Sequence, residues 1–148
     1  MSVRFCGFAA ALVVATMGLP GNAAPAWPPW AALSAGGGGV PIPDRPYGLL
    51  ITRHPDLQRF PPLALHPGGG DPFASFDFQN NVVLVVVMRA SELIEVKRLV
   101  RSGTVLKVGA GASGVLTFGP GFAAWQAVSL PRKLLGRPLP RRIIFPWS

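Results

Sequence analysis

Phe76-Asp77-Phe78-Gln79-Asn80-Asn81 leads into Val82-Val83-Leu84-Val85-Val86-Val87-Met88, and this stretch decides the fold. Seven consecutive apolar residues, five of them Val, follow a polar turn. β-Branched side chains are stiff at χ1 and suit a pleated surface better than a helix. A run without polar alternation has to be covered on both faces, which predicts a central strand. Asp77 and Asn80 are good side-chain acceptors for the amides of the turn before it.

Working outward, Tyr47-Gly48-Leu49-Leu50-Ile51-Thr52 reads as a first strand. Thr52 or His54 is placed to cap a short helix, with Pro55 in its first turn and Leu57 and Phe60 facing inward. Pro61-Pro62 is expected to stop it, and Ala64–Pro72, with Gly68-Gly69-Gly70, to be a loop. On the other side, Arg89–Arg101 has two readings. As a helix, Ser91 caps it, Glu92 and Glu95 sit early, Lys97, Arg98 and Arg101 sit late, and Leu93, Val96 and Val100 form a stripe. As a strand, Ile94, Val96 and Val100 share a face, interrupted by Arg98. We read it as a strand, because Val100–Val108 looks like a hairpin with Ser102-Gly103 at its turn. Gly109–Gly121 reads as a glycine-rich loop, and Ala123–Leu130 as the next strand. Pro131–Leu135 reads as one helical turn that Gly136 ends, and Ile143-Ile144-Phe145 as a last edge strand. The expected fold is mainly β, a small antiparallel sandwich or partly open barrel with one short helix, in a single domain over 47–148.

Two segments precede that domain. Met1–Arg4 is a short basic start, Phe5–Leu19 is apolar, Pro20-Gly21-Asn22 breaks it, and the small residues Ala23, Ala24 and Ala26 follow. This is the layout of a secretory signal peptide, cut after Ala23 or as late as Ala26. The rival, an uncleaved anchor, needs about 20 apolar residues, and this run is shorter. Residues 24–46, with Trp27-Pro28-Pro29-Trp30, Gly36–Gly39 and Pro41-Ile42-Pro43, read as a linker without regular structure. Trp27 and Trp30 either pass through it or dock on the domain or on a partner. The protein is thus expected to be exported, to the periplasm or the extracellular medium.

Fourteen Lys and Arg face six Asp and Glu, for a net charge of +8. The last acid is Glu95, while Arg98, Arg101, Lys107, Arg132, Lys133, Arg137, Arg141 and Arg142 continue to the C-terminus. Such a one-sign field suits anionic partners: acidic protein surfaces, lipid head groups or acidic polymer. Nucleic acid is not expected of an exported chain.

Chemistry is sparse. Cys6, the single cysteine, falls in the leader, so the mature chain is expected to have neither disulfide nor thiol nucleophile. His54 and His66 each adjoin a proline, and no spacing assembles the three or four ligands of a zinc site. No G-x-S-x-G occurs. Glu92 and Glu95 read as surface charges rather than a glycosidase pair. Gly109-Ala110-Gly111-Ala112-Ser113-Gly114 fits G-x-G-x-x-G, but Val115–Pro120 is a poor helix and no acid follows, so nucleotide binding is not expected. We expect no enzyme, no cofactor and no metal.

Phe76-Asp77-Phe78, the run Val82–Val87, and Val100-Arg101-Ser102-Gly103-Thr104-Val105-Leu106-Lys107-Val108 together resemble the PrcB-like domain. Leu49–Thr52 and Asp56–Phe60 fit that family's opening strand and helix, and the resemblance spans about Tyr47–Pro131. It implies a small exported bacterial β domain that stabilises a surface protease complex. The chain departs from the family at Arg89-Ala90-Ser91-Glu92-Leu93, where a Thr-Gly-Gly-Tyr-like segment is usual, and its hairpin glycine comes three residues after Val100. The expected function is that of a non-enzymatic accessory domain acting through protein contacts, or alternatively a basic envelope module that binds anionic lipid or polymer. Candidate contact residues are Phe118 and Phe122 in the glycine-rich segment, and Arg132, Lys133, Arg141 and Arg142 near the C-terminus.

Overall fold

The computed structural model describes residues 30–64 and 69–147, without the side chains of residues 115–118 and 120. The leader, Trp27 and His66 lie outside the described residues. In chain order the elements are β1 (Ala31–Gly37), β2 (Tyr47–Ile51), a 3₁₀ helix (His54–Arg59), α1 (Pro61–Ala64), β3 (Asn81–Ser102), β4 (Val105–Pro131), α2 (Arg132–Leu135) and β5 (Arg142–Ile144). The fold is mainly β. Its strands form one open sheet in the order β1-β4-β3-β2, with β5 pairing β4 elsewhere along its length. Three pairings are antiparallel and β5 is parallel to β4, so the sheet is mixed rather than purely antiparallel.

The valine run takes the place expected of it. It begins β3 between β2 and β4, in register Leu50↔Leu84↔Val128. Val82 through Val87 are completely buried. Their alternation feeds two cores. Val82, Leu84 and Val86 join Ile94, Val96, Leu106, Val108, Val128 and Leu130 on one face. Val83, Val85 and Val87 join Ile51, Leu57, Phe60, Leu63, Phe73 and Trp125 on the other. Burying each such side chain contributes about 1.5–3 kcal/mol.

β3 and β4 are far longer than a usual strand of about 5–6 residues. They stay paired from Asn81↔Pro131 to Ser102↔Val105, but not as a flat ribbon. Over the four steps from Ala90 to Ile94 on β3, β4 takes ten, from Phe122 to Ala112. The surplus residues bulge out, with Gly114, Gly119 and Gly121 at φ of 75°, 93° and 57°. Bulges bend a ladder and raise its twist. The far half of the hairpin therefore turns back over one face of the near half. Buried Gln126, on the near half of β4, accepts the Val96 N–H at 2.6 Å across that layer. The loop expected at Gly109–Gly121 is thus strand throughout, corrected by a ladder whose irregularities the glycines absorb.

Other expectations shift locally. Arg89–Arg101 is strand, as read, but a further bulge between Val96 and Arg98 reverses its faces. Leu99 packs inward and Val100 stands 36% exposed, so Val100 does not share a face with Ile94 and Val96. The tight turn holds Gly103-Thr104, one residue later than expected. The helix after β2 is 3₁₀, capped by the backbone of Arg53 with no side-chain cap; Thr52 Oγ1 instead donates to Asp56 Oδ2 at 3.3 Å. Pro61-Pro62 does not simply stop it but starts α1, since prolines fit a first turn. With α2 there are three short helical elements among the described residues, not one. Gly136, at φ 66°, ends α2 as read, and β5 supplies the last strand.

The largest correction is β1. Residues 24–46 were expected to hold no regular element, yet Ala31–Gly37 pairs with β4 from Ala31↔Ser129 to Gly37↔Ala124. Trp30 is buried in the core beside Leu84 and Val128. Among the described residues no helix is long and apolar enough to cross a membrane.

Candidate anion-binding cleft

The ladder that begins β3 also ends β4. Asn81 lies opposite Pro131, so the turn before β3 sits beside the start of α2. That turn is held by Asp77. Its Oδ1 accepts the N–H of Gln79 at 3.0 Å and of Asn80 at 3.2 Å, and its Oδ2 accepts Asn80 Nδ2 at 2.8 Å. Asn81 N–H donates to the Asp77 carbonyl at 3.0 Å, and Arg132 N–H to that of Asn80 at 2.8 Å. Turn and helix are therefore one hydrogen-bonded unit.

The far tip of the hairpin arrives at the same end, because the sheet folds over. Arg101 donates from Nη2 to the Pro138 carbonyl at 2.8 Å and from Nε to that of Gly103 at 2.9 Å. Arg141 and Arg142 N–H groups reach the Thr104 carbonyl at 2.8 and 3.3 Å. Leu134 and Leu135 of α2 line a small hollow with Leu99 and Leu106. Base and tip of the hairpin meet around α2, and with them most of the C-terminal positive charge.

A cleft of ≈ 670 Å³ opens there. Gln79, Asn80 and Asn81 line one side; Pro131, Arg132 and Lys133 line another; Gly136, Arg137 and Leu139 close it. Among the described residues no carboxylate lines it. Of its cations, Lys133 was expected and Arg137 was not, while Arg132 is engaged elsewhere. Arg132 donates from Nε to the Phe78 carbonyl at 2.9 Å and from Nη2 to the Thr52 carbonyl at 2.6 Å. Its guanidinium ties β2, the aromatic turn and α2 together, which leaves Lys133 and Arg137 as the exposed cations of the cleft. Side-chain amide N–H groups beside two cations can donate to a carboxylate or a phosphate and so orient it.

Arg141 and Arg142 are exposed at the start of β5 and do not line this cleft. Phe122 is half-buried and packs against the Leu84 core. Phe118 belongs to β4, next to the Glu92↔Thr117 pair. The structure thus brings Arg132 and Lys133 together, leaves Arg141 and Arg142 on the neighbouring surface, and sets the two phenylalanines apart. Gln79, Asn80, Asn81 and Arg137 were not among the expected contacts. Sequence spacing marks the first three only as a turn, since their partner residues are fifty positions away.

A second opening, of ≈ 500 Å³, shares Gln79 and Arg132 and adds Thr52, Arg53, His54, Phe76, Asp77 and Phe78. His54 Nε2 pairs with Asp71 Oδ2, and its ring stands edge-on to Phe78 at 6.3 Å. This pair fastens the loop before Phe73 to the 3₁₀ helix, with both partners exposed. The described residues hold no group of three or more His, Cys, Asp or Glu able to share a metal ion. Gly109–Gly114 lies inside β4, so no helix opens behind that glycine pattern.

Three carboxylates around these openings titrate below the usual range. Side-chain and backbone N–H groups of Asn80 hold the Asp77 carboxyl down. The Phe73 N–H, then His54, does so for Asp71, and Arg53 for Asp56. A depressed folded pKa stabilises the protein fully above the unfolded value of 3.8 and ceases to do so as pH falls through the folded one. The thermal midpoint is therefore expected to drop steadily below about pH 4. Asp77→Asn should give a shallower fall, because it removes one of the titrating groups. Circular dichroism melts across this acid range check it, and parallel curves for the two proteins would refute the assignment to Asp77.

Searches of known family profiles, curated proteins and solved structures find no match to this chain.

Proposed function

We propose that this chain is an exported, non-catalytic binding module that holds an acidic protein partner at the basic end of its folded-over sheet. The observation that carries the reading is the cleft between the Gln79–Asn81 turn and α2, lined by Lys133 and Arg137 and by no carboxylate among the described residues. Three further points support it. The charge of +8 gathers C-terminally, with no acid after Glu95. The leader-like start favours export. The resemblance of Phe76–Phe78, the valine run and the hairpin to the PrcB-like domain favours an accessory role. A protein carboxylate fits better than a lipid surface, because the cations sit in a concavity with directional amides, whereas a bilayer presents a plane.

The double variant Lys133→Glu/Arg137→Glu is expected to bind polyglutamate at least about tenfold more weakly at low salt, with the fold intact. Binding by the native chain should weaken as ionic strength rises, since exposed charges are screened. Fluorescence anisotropy with labelled polyglutamate, run beside phosphatidylglycerol vesicles, makes the comparison. Equal affinity of the native and double-variant proteins would sink the reading. Preference for vesicles over polyglutamate, lost on reversing Arg141 and Arg142, would replace it with the lipid-surface alternative.

A further inference from the structure

We infer that the outer edge of β1 is a strand-addition site, and that its occupant is an extended segment of an acidic polypeptide whose carboxylates continue into the cleft at Lys133 and Arg137. This rests on the binding reading above and specifies how the partner is held.

The sheet order places β1 at one margin, and among the described residues no strand pairs with its far side. The ladder tells which of its groups face outward. Gly38 N–H donates to the Ala123 carbonyl directly opposite, at 2.8 Å. In an antiparallel pair such bonded positions alternate, so Gly36 and Ser34 also face β4. Ala35 and Gly37 therefore turn their N–H and C=O away from the sheet. Natural edges are guarded against pairing by charge, proline or short length. β1 has neither a charged residue nor a proline over its seven positions, Ala-Ala-Leu-Ser-Ala-Gly-Gly.

The two glycines explain what an added strand would meet. A Cβ on Gly36 would stand 2.7 Å from Cζ2 of Trp125, and one on Gly37 would stand 2.2 Å from Cε2 of Phe122. Trp125 belongs to the core beside Phe60, Phe122 to the core on the opposite face of the sheet. One aromatic ring on each face thus reaches across the outermost strand, possible only because no side chain stands there. An incoming strand gains main-chain bonds from Ala35 and Gly37 and lays alternate side chains against the two rings, the pattern of peptide recognition by strand addition.

Charge and position select the occupant. β1 runs from Gly37 back to Ala31, opposite Ser129, two residues short of Pro131 and the start of α2. A strand lying on β1 therefore leaves the sheet at the end where β4 passes into α2, the end that carries Lys133 and Arg137. A second copy of this chain would bring another +8 to that place, whereas a segment with carboxylates beyond its paired part complements it.

Amide hydrogen exchange on the full chain tests this. The probe is a synthetic peptide of alternating Thr and Val followed by a run of Glu; the control has the same sequence with N-methylated amides in the Thr-Val part. Ala35 and Gly37 amides should exchange freely alone and become protected by the probe but not by the control. Ala35→Pro removes only an outward N–H, a change edge strands accept, and should weaken probe binding about tenfold. If that variant unfolds, the exchange pattern of the native chain still decides. No protection at Ala35 and Gly37, while Lys133→Glu/Arg137→Glu abolishes binding, would overturn strand addition and leave the basic-end reading standing. Indifference to both variants would overturn both. Protection in the free chain overturns the proposed occupant: concentration-dependent, it marks a second copy; independent of concentration, a segment of the same chain.

Discussion

Leu84→Ala is expected to lower the unfolding free energy by about 3 kcal/mol. Leu84 is fully buried on the core face that also holds Trp30, Ile94, Val108 and Val128. Its neighbours across the ladder are Leu50 of β2 and Val128 of β4. Flanked by a strand on each side and layered above and below, the site has little freedom to collapse around a smaller side chain, so most of the cavity remains. Val100→Ala, on the same strand but beyond the bulge that turned it outward, should cost about 0.5 kcal/mol or less. Urea titrations read both, with the midpoint moving at constant slope. A loss for Leu84→Ala no greater than that for Val100→Ala would mean that the valine run is not covered on both sides.

Arg132→Ala should be a stability variant before it is a binding variant, losing about 2–3 kcal/mol. The guanidinium spans the carbonyls of Thr52, just past β2, and Phe78, in the aromatic turn. Hydrogen bonds from a charged donor are the stronger kind. Both acceptors lose that donor together, in a site only partly open to water. Arg132→Lys should recover only part of the loss, since a single ammonium lacks the planar fork that reaches two carbonyls at once. Once folded, Arg132→Ala should still bind polyglutamate through Lys133 and Arg137. A fully stable Arg132→Ala protein that no longer bound would reverse the assignment and return Arg132 to the contact surface.

What the sequence disclosed was what local chemistry sets. Five of the six residues Val82–Val87 are β-branched, which suits a buried strand. Pro55 announces a first turn and Gly136 an end, whereas Pro61, read as a stop, opens α1. Pairing between distant residues was not visible. Ala31–Gly37 has almost no intrinsic β preference. It is a strand because β4 offers it a ladder and because Trp125 and Phe122 cover its glycines. Gly109–Gly121 looked like a loop for the same reason in reverse: its glycines absorb bulges in a ladder whose partner, Ala90–Ile94, cannot be read from the glycines themselves. Lys97 moved the inward positions of β3 by one residue, which no periodicity could foresee. The cleft was half legible. Charge order pointed to Arg132 and Lys133, but the amides of Gln79–Asn81 join them only through the register Asn81↔Pro131. The segment Arg89–Leu93 runs into the corner at which the sheet turns over.

The position of β1 also fixes a sequence in time. Its partners on β4 are residues 124 to 129, so a chain appearing from its N-terminus presents Ala31–Gly37 almost a hundred residues before anything exists to receive it. β3 and β4 can close early from Gly103-Thr104, neighbour by neighbour, but the Asn81↔Pro131 end must close before β1 has a ladder to join. The earliest of the described strands is thus among the last to be placed.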